Sequence, residues 1–223
     1  MLGRYDPISP VAYGAPVRCP GYTNKEVLSA TKGTNADLMT EIASLWITPE
    51  DRVADVTFGN GVFWRNLDHI KVLATDLISG IDCRNLPYEN ESLDVVVFDP
   101  PYQPCHGSPS RNFGVGNSYN LRNTQLQTIE EVLLLYREGI KEASRVLASN
   151  GRLMIKCQDM TYNHRLHLVH LDVLRLMIEY GIDLADMFVL LNTSRMPQRK
   201  VRQQRARRAH SYMLIGVKHA DNP

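Results

Sequence analysis

The run Ser92-Leu93-Asp94-Val95-Val96-Val97-Phe98 constrains the fold more than any other part of this 223-residue chain. It is apolar at most positions and rich in β-branched residues, so it reads as a strand buried on both faces. Strands of that kind belong to parallel sheets covered by helices on each side. Directly after it stands Asp99-Pro100-Pro101-Tyr102. The two prolines lock φ and remove two backbone donors, which leaves nearby carbonyls free to accept hydrogen bonds. An acid, free carbonyls and an aromatic ring at a strand end make a stiff polar platform. It suits a flat ligand that carries an exocyclic amino group.

Upstream, Arg52-Val53-Ala54-Asp55-Val56-Thr57-Phe58-Gly59-Asn60-Gly61 is a short strand running into a glycine turn. Gly59 and Gly61 let the backbone turn tightly and approach a ligand closely. Val62 to Leu67 is expected to start a helix, giving the strand, turn and helix of a cofactor cradle at the carboxyl edge of a doubly wound sheet. Neither a phosphate-binding Gly-Lys-Ser/Thr nor a nicotinamide-type G-x-G-x-x-G is present, because Trp64 occupies the third glycine's place. Lys71 to Leu77 is a second expected strand. It carries Asp76 at about the 20-residue spacing that a ribose-binding carboxylate keeps from the glycine turn.

Together these motifs resemble the amino-methyltransferases with a DPPY motif, which use S-adenosylmethionine to methylate the exocyclic amino group of a base. The likeness covers about residues 31–218. It implies an α/β fold: a doubly wound, Rossmann-like class I methyltransferase sheet with an antiparallel final strand. It implies Asp99, Pro100, Pro101 and Tyr102 as the catalytic set. Asp55, Thr57, Phe58, Gly59 and Gly61 resemble the cofactor motif D-x-F-x-G-x-G, with Thr57 where the family often has Phe. The resemblance adds Asp76, Leu77, Asp82 and Cys83 on the adenosine side of the cofactor, Thr34 near its carboxylate end, and Asp99 on both ligands. Asp rather than Ser at position 99 leans toward adenine over cytosine, and the absence of a restriction-type recognition domain suits a small stand-alone or phage-borne modifier. Cytosine amino methylation in DNA, guanine or adenine amino methylation in RNA, and a catalytically silent nucleic-acid-binding module share the same motifs.

Charge separates these classes from a small-molecule enzyme. The formal net charge is only +1, yet residues 187–220 hold eight of the 25 Lys and Arg and no acid, leaving 17 basic against 24 acidic residues elsewhere. Within this stretch Arg195, Arg199, Lys200, Arg202, Arg205, Arg207 and Arg208 form a basic insertion over 195–210. Such a stretch fits a phosphate backbone, DNA above all, with Arg111 joining from the other insertion. That other insertion, 103–124, follows the platform at once and is rich in Gly, Ser, Asn and aromatics, as a lid over the site would be.

The remaining expectations are plainer. Residues 1–30, with four prolines and three tyrosines, read as an extended arm, and 31–223 as one methyltransferase domain. A helix capped by Asn35 runs to about Trp46, another spans Thr128 to Leu147, and a third His164 to Tyr180. Leu184–Leu191 and Ala209–Val217 form a hairpin at the sheet edge. The four cysteines are scattered without a C-x-x-C pair, which points to reduced thiols and no zinc. His164, His167 and His170 are read as surface residues, and no metal is expected. No run of eighteen apolar residues and no charged start with an apolar core appear, so neither a membrane span nor a secretory signal is expected, and the expected setting is cytoplasmic. The assembly is read as either monomer or homodimer.

Overall fold

The computed structural model describes residues 19–21, 23–104, 126–192 and 206–219. Nine strands occur among them. Two, β6 (Met160–Tyr162) and β7 (Arg165–His167), form a small separate hairpin. The other seven make the central sheet: β1 (Ala30–Gly33), β2 (Val53–Asp55), β3 (Val72–Ala74), β4 (Leu93–Phe98), β5 (Leu147–Cys157), β8 (Ile182–Asn192) and β9 (His210–Lys218). Their spatial order is β1-β8-β9-β5-β4-β2-β3. All neighbours run parallel except β9, which lies antiparallel between β5 and β8. The doubly wound sheet with one antiparallel final strand is as the motifs imply. The final hairpin is not at the edge, however. Ala30–Gly33 pairs in parallel with Val189–Asn192 and becomes the edge strand itself.

β4 is buried on both faces, as its composition demands. Val96 and Phe98 pack with α2 (Ile129–Val146) and α3 (Val169–Glu179), while Val95 and Val97 pack with α1 (Asn35–Trp46) on the other side. α2 owes its start to Thr128, whose hydroxyl accepts from the Glu131 N–H at 3.2 Å. Glu130 and Glu131 in its first turn and Arg145 in its last complement the helix dipole. Val132, Tyr136, Ile140 and Ala143 form its fully buried stripe. Gly139 lets the helix come close: a Cβ there would lie 2.4 Å from the Phe98 ring.

Three local expectations are corrected. The cap of α1 is Thr34, not Asn35: Asp37 and Thr34 exchange side-chain and backbone hydrogen bonds in a capping box. The helix expected from Val62 is a single 3-10 turn, Val62–Trp64. The N–H groups of Trp64, Leu67 and Ile70 each bond the carbonyl three residues earlier, so the segment tightens instead of propagating an α-helix. The third helix begins at Val169, because the β6–β7 hairpin takes up the residues before it. Asn163 and His164 turn that hairpin with φ of 46° and 59°, the backbone that two-residue hairpins need. His164, His167 and His170 therefore sit on a turn, a strand and a helix. Among the described residues, no helix is long and apolar enough to cross a membrane.

Candidate active site

Because β1, β2, β3, β4 and β5 run parallel, their carboxyl ends gather along one edge. That edge holds Thr34 and Asn35 after β1, the Asp55–Gly61 turn after β2, Asp76 after β3, the platform after β4, and Lys156 to Asp159 at the end of β5. A ligand crevice belongs at that edge of an open α/β sheet.

Asp55 is 1% exposed. One oxygen accepts from the Trp64 indole N–H at 2.8 Å and the other from the Thr57 N–H at 3.0 Å. Burial is the main cause that pushes its carboxyl up to about 7; the Trp64 and Thr57 bonds oppose it, and neighbouring Asp99 adds to it. Asp55 thus braces the glycine turn from beneath. Thr57 extends the brace, since its hydroxyl accepts from the Asp99 N–H at 2.7 Å. Gly61 is left-handed at φ 62°, and a Cβ there would strike the Phe58 ring at 2.7 Å. Phe58 therefore lies under the turn, while Phe63 faces inward to Lys156.

Asp76 is half-buried. Its carboxylate accepts from the Gly59 N–H at 3.1 Å and the Ser79 N–H at 2.7 Å, which ties the β3 end to the glycine turn. Leu77 and Ile78, 38% and 60% exposed, present apolar surface beside it. Asp82 is gripped by Arg84, whose guanidinium binds both carboxylate oxygens, and this pair holds the carboxyl below the usual range. Cys83 is buried, and desolvation pushes its thiol up to about 12. Thr34 is exposed, its side chain engaged in the α1 cap.

The platform stands at the centre. The Asp99 side chain is 20% exposed, yet its Oδ1 is buried without a hydrogen-bond partner. Burial raises its carboxyl above the ordinary range, and Lys156 opposes that shift. Pro100 is buried, and Pro101 and Tyr102 are half-buried. Burial and the neighbouring Asp99 push the Tyr102 phenol up to about 12.

Two groups of residues here were not singled out from the sequence. The first is Lys156, with a side chain only 4% exposed. It donates to Asn35 Oδ1 at 2.8 Å, lies 3.8 Å from Asp99 Oδ2, and sits over the rings of Phe63 and Tyr102 at 5.5 and 5.9 Å. The second is a polar chain from the platform to β9. Gln103 donates to Gln158 at 2.9 Å, and Gln158 donates to the His210 carbonyl at 2.7 Å. Asp159, 4% exposed, meets His170 at 2.7 Å and the Tyr212 hydroxyl at 3.3 Å, and Tyr212 meets His210 at 3.0 Å. Of the basic residues, Arg207 (exposed) and Arg208 (half-buried) are described and precede β9 at this same edge. Arg111, Arg195, Arg199, Lys200, Arg202 and Arg205 lie outside the described residues, as does nearly all of the 103–124 insertion.

No curated protein sequence matches the chain. Among solved structures, a DNA modification methylase of Thermus thermophilus complexed with S-adenosyl-L-methionine is similar at 16% identity, over 77% of this chain and 57% of that one, with a TM-score of 0.44. The cytosine-N4-specific PvuII DNA methyltransferase is similar at 19% identity, over 61% and 47%, with a TM-score of 0.44. TrmN from Thermus thermophilus is similar at 18% identity, over 82% and 48%, with a TM-score of 0.47. The chain spans about half the length of these three proteins. The sequence model of a family described as DNA methylase matches residues 93–223, from the platform strand onward and more than half of the chain. The chain belongs to this DNA methylase family.

Proposed function

We propose that the protein transfers a methyl group from S-adenosylmethionine to the exocyclic amino group of adenine in DNA. The observation that carries the reading is the buried, unpartnered Asp99 Oδ1 beside Tyr102, at the carboxyl edge of the sheet. A buried acceptor without a donor costs free energy unless a ligand supplies one. A base amino group is such a donor.

The residues along the edge fit the cofactor. Asp76, held against Gly59, offers carboxylate oxygens at the place a ribose diol occupies, and the exposed Leu77 and Ile78 offer apolar contact for a purine. The start of α1 at Thr34 and Asn35 provides a positive helix end for a carboxylate. Asp82 and Cys83 flank the purine side. Bound S-adenosylmethionine supplies an electrophilic methyl on a sulfonium sulfur.

The protein's own part is alignment. Tyr102 stacks on the target base, which leaves its helix to reach the pocket. Asp99 Oδ1 and the Pro100 carbonyl accept the amino hydrogens, so the nitrogen lone pair turns out of conjugation toward the methyl. The nitrogen forms its new C–N bond as the C–S bond breaks, with that bonding pair kept by sulfur. The proton the nitrogen then sheds passes to Asp99 Oδ1. Orientation of this kind supplies much of a methyl transfer's rate. Arg207, Arg208 and the rest of the basic insertion hold the phosphate backbone, and Gln103 and Gln158 link that region to the platform.

Nucleoside mass spectrometry after incubation with unmethylated DNA, RNA and cofactor tests the reading. N6-methyldeoxyadenosine is expected. N4-methyldeoxycytidine would move the target to cytosine, and a methylated ribonucleoside alone would move it to RNA.

A further inference from the structure

A lysine with a side chain 4% exposed needs a reason to be there, because a buried charge is costly unless it is matched. Every neighbour of the Lys156 ammonium suits a cation. Asn35 Oδ1 accepts one of its protons at 2.8 Å, and the faces of Phe63 and Tyr102 lie 5.5 and 5.9 Å away. Asp99 Oδ2 is 3.8 Å away. The β4–β5 register brings this about: Phe98 pairs with Ile155, so the next residue along each strand places Asp99 beside Lys156. Alternation along β5 then points Lys156 to the α1 side, where Asn35 and Phe63 lie.

The reaction proposed above needs an acceptor, and a protonated carboxyl can present a hydroxyl donor instead. The other groups around Asp99 do not keep it charged. Asp55 at the end of β2 is a second acid, Tyr102 beside the platform and Tyr136 on α2 are phenols, and Cys157 on β5 is a buried thiol. Lys156 is the cation that opposes burial at this carboxyl.

We propose that Lys156 is a positioning residue that keeps Asp99 an anion and engages Oδ2, so that Oδ1 alone is presented to the incoming amino group. It also joins the two halves of the site, because the same ammonium holds Asn35 at the α1 end and Asp99 at the base platform. The inference rests on the reading of Asp99 as the amino-group acceptor.

The test follows the Asp99 carboxyl itself by 13C NMR in aspartate-labelled protein, with Asp99→Asn to assign the signal. Removing the ammonium in Lys156→Met is expected to raise the Asp99 titration midpoint by a pH unit or more, while Lys156→Arg keeps it near the wild-type value. Methyl transfer by Lys156→Met is expected to show its acid limb displaced upward by the same amount, and kcat lowered at least tenfold at neutral pH with KM for the cofactor little changed. Circular dichroism and thermal melting of both variants report whether they fold, and Lys156→Arg carries the kinetic comparison should Lys156→Met not fold. An unmoved midpoint in Lys156→Met, or a loss confined to KM for the cofactor, would overturn the inference. Wild-type protein that methylates no nucleic acid while its Asp99 midpoint still depends on Lys156 would overturn the methylation reading and leave the charge pairing standing.

Discussion

The Thr57 hydroxyl accepts a hydrogen bond from the Asp99 N–H at 2.7 Å, and the Thr57 N–H in turn donates to Asp55 Oδ1 at 3.0 Å. One side chain thus ties the glycine turn after β2 to the platform after β4, 42 residues later in the chain. The Thr that stands where related sequences often carry Phe is the bridge between the two motifs.

Thr57→Val removes that acceptor and leaves the Asp99 N–H unpaired, at a cost of about 1–3 kcal/mol. Methyl transfer should fall more than tenfold, and Thr57→Ser should retain most of it. Urea unfolding and steady-state transfer rates on the two variants check this. Equal activity in Thr57→Val would show that the bridge does not position Asp99.

Asp55 makes stability depend on pH. Its folded carboxyl titrates at about 7, above the ordinary 3.8, because burial favours the protonated form. A raised value means its stabilisation is complete below about pH 4 and is lost as pH rises toward 7. The difference is on the order of 4 kcal/mol. Asp55→Asn should remove that slope, so wild type should lose stability relative to the variant between pH 4 and 7. Chemical unfolding across that window measures it, and parallel curves would contradict the assignment.

Gly139→Ala puts a Cβ 2.4 Å from the Phe98 ring, one residue before the platform acid. Overpacking of this kind costs about 1–3 kcal/mol. Combining it with Phe98→Leu makes room and should recover part of the loss, which a double-mutant cycle in urea reads directly.

Arg207→Ala and Arg208→Ala test the basic insertion. For each phosphate that a variant no longer neutralises, the slope of log affinity against log salt should drop by about 0.9. Binding should weaken to a similar degree on unrelated DNA sequences. Fluorescence anisotropy at several salt concentrations checks both, and a change confined to one sequence would point to base reading instead.

What could be read beforehand follows from how local each cause is. The buried strand at 93–98 and its polar end are encoded in consecutive residues, and so is the α2 stripe from Val132 to Ala143. The α1 cap was legible in principle, since Thr34 and Asp37 have capping-box spacing, but Asn35 competes for the same role. The 3-10 turn at Val62–Trp64 was not, because the bond that pins Trp64 comes from Asp55 across the turn. The β6–β7 hairpin was hidden by apolar and histidine spacings that mimic a helix. Lys156 was hidden most completely. Along β5 it is one polar residue in an apolar strand, and its partners Asn35, Phe63, Asp99 and Tyr102 come from three other segments.

The most direct measurement is single-turnover transfer of labelled methyl to unmethylated DNA, comparing wild type with Asp99→Ala under conditions where both are saturated with cofactor and DNA. Wild type should place label on the adenine amino group, and the variant should bind both ligands yet transfer at least a hundredfold more slowly. An Asp99→Ala protein that transfers at the wild-type rate would contradict the account, because the platform acid would then have no part in the reaction.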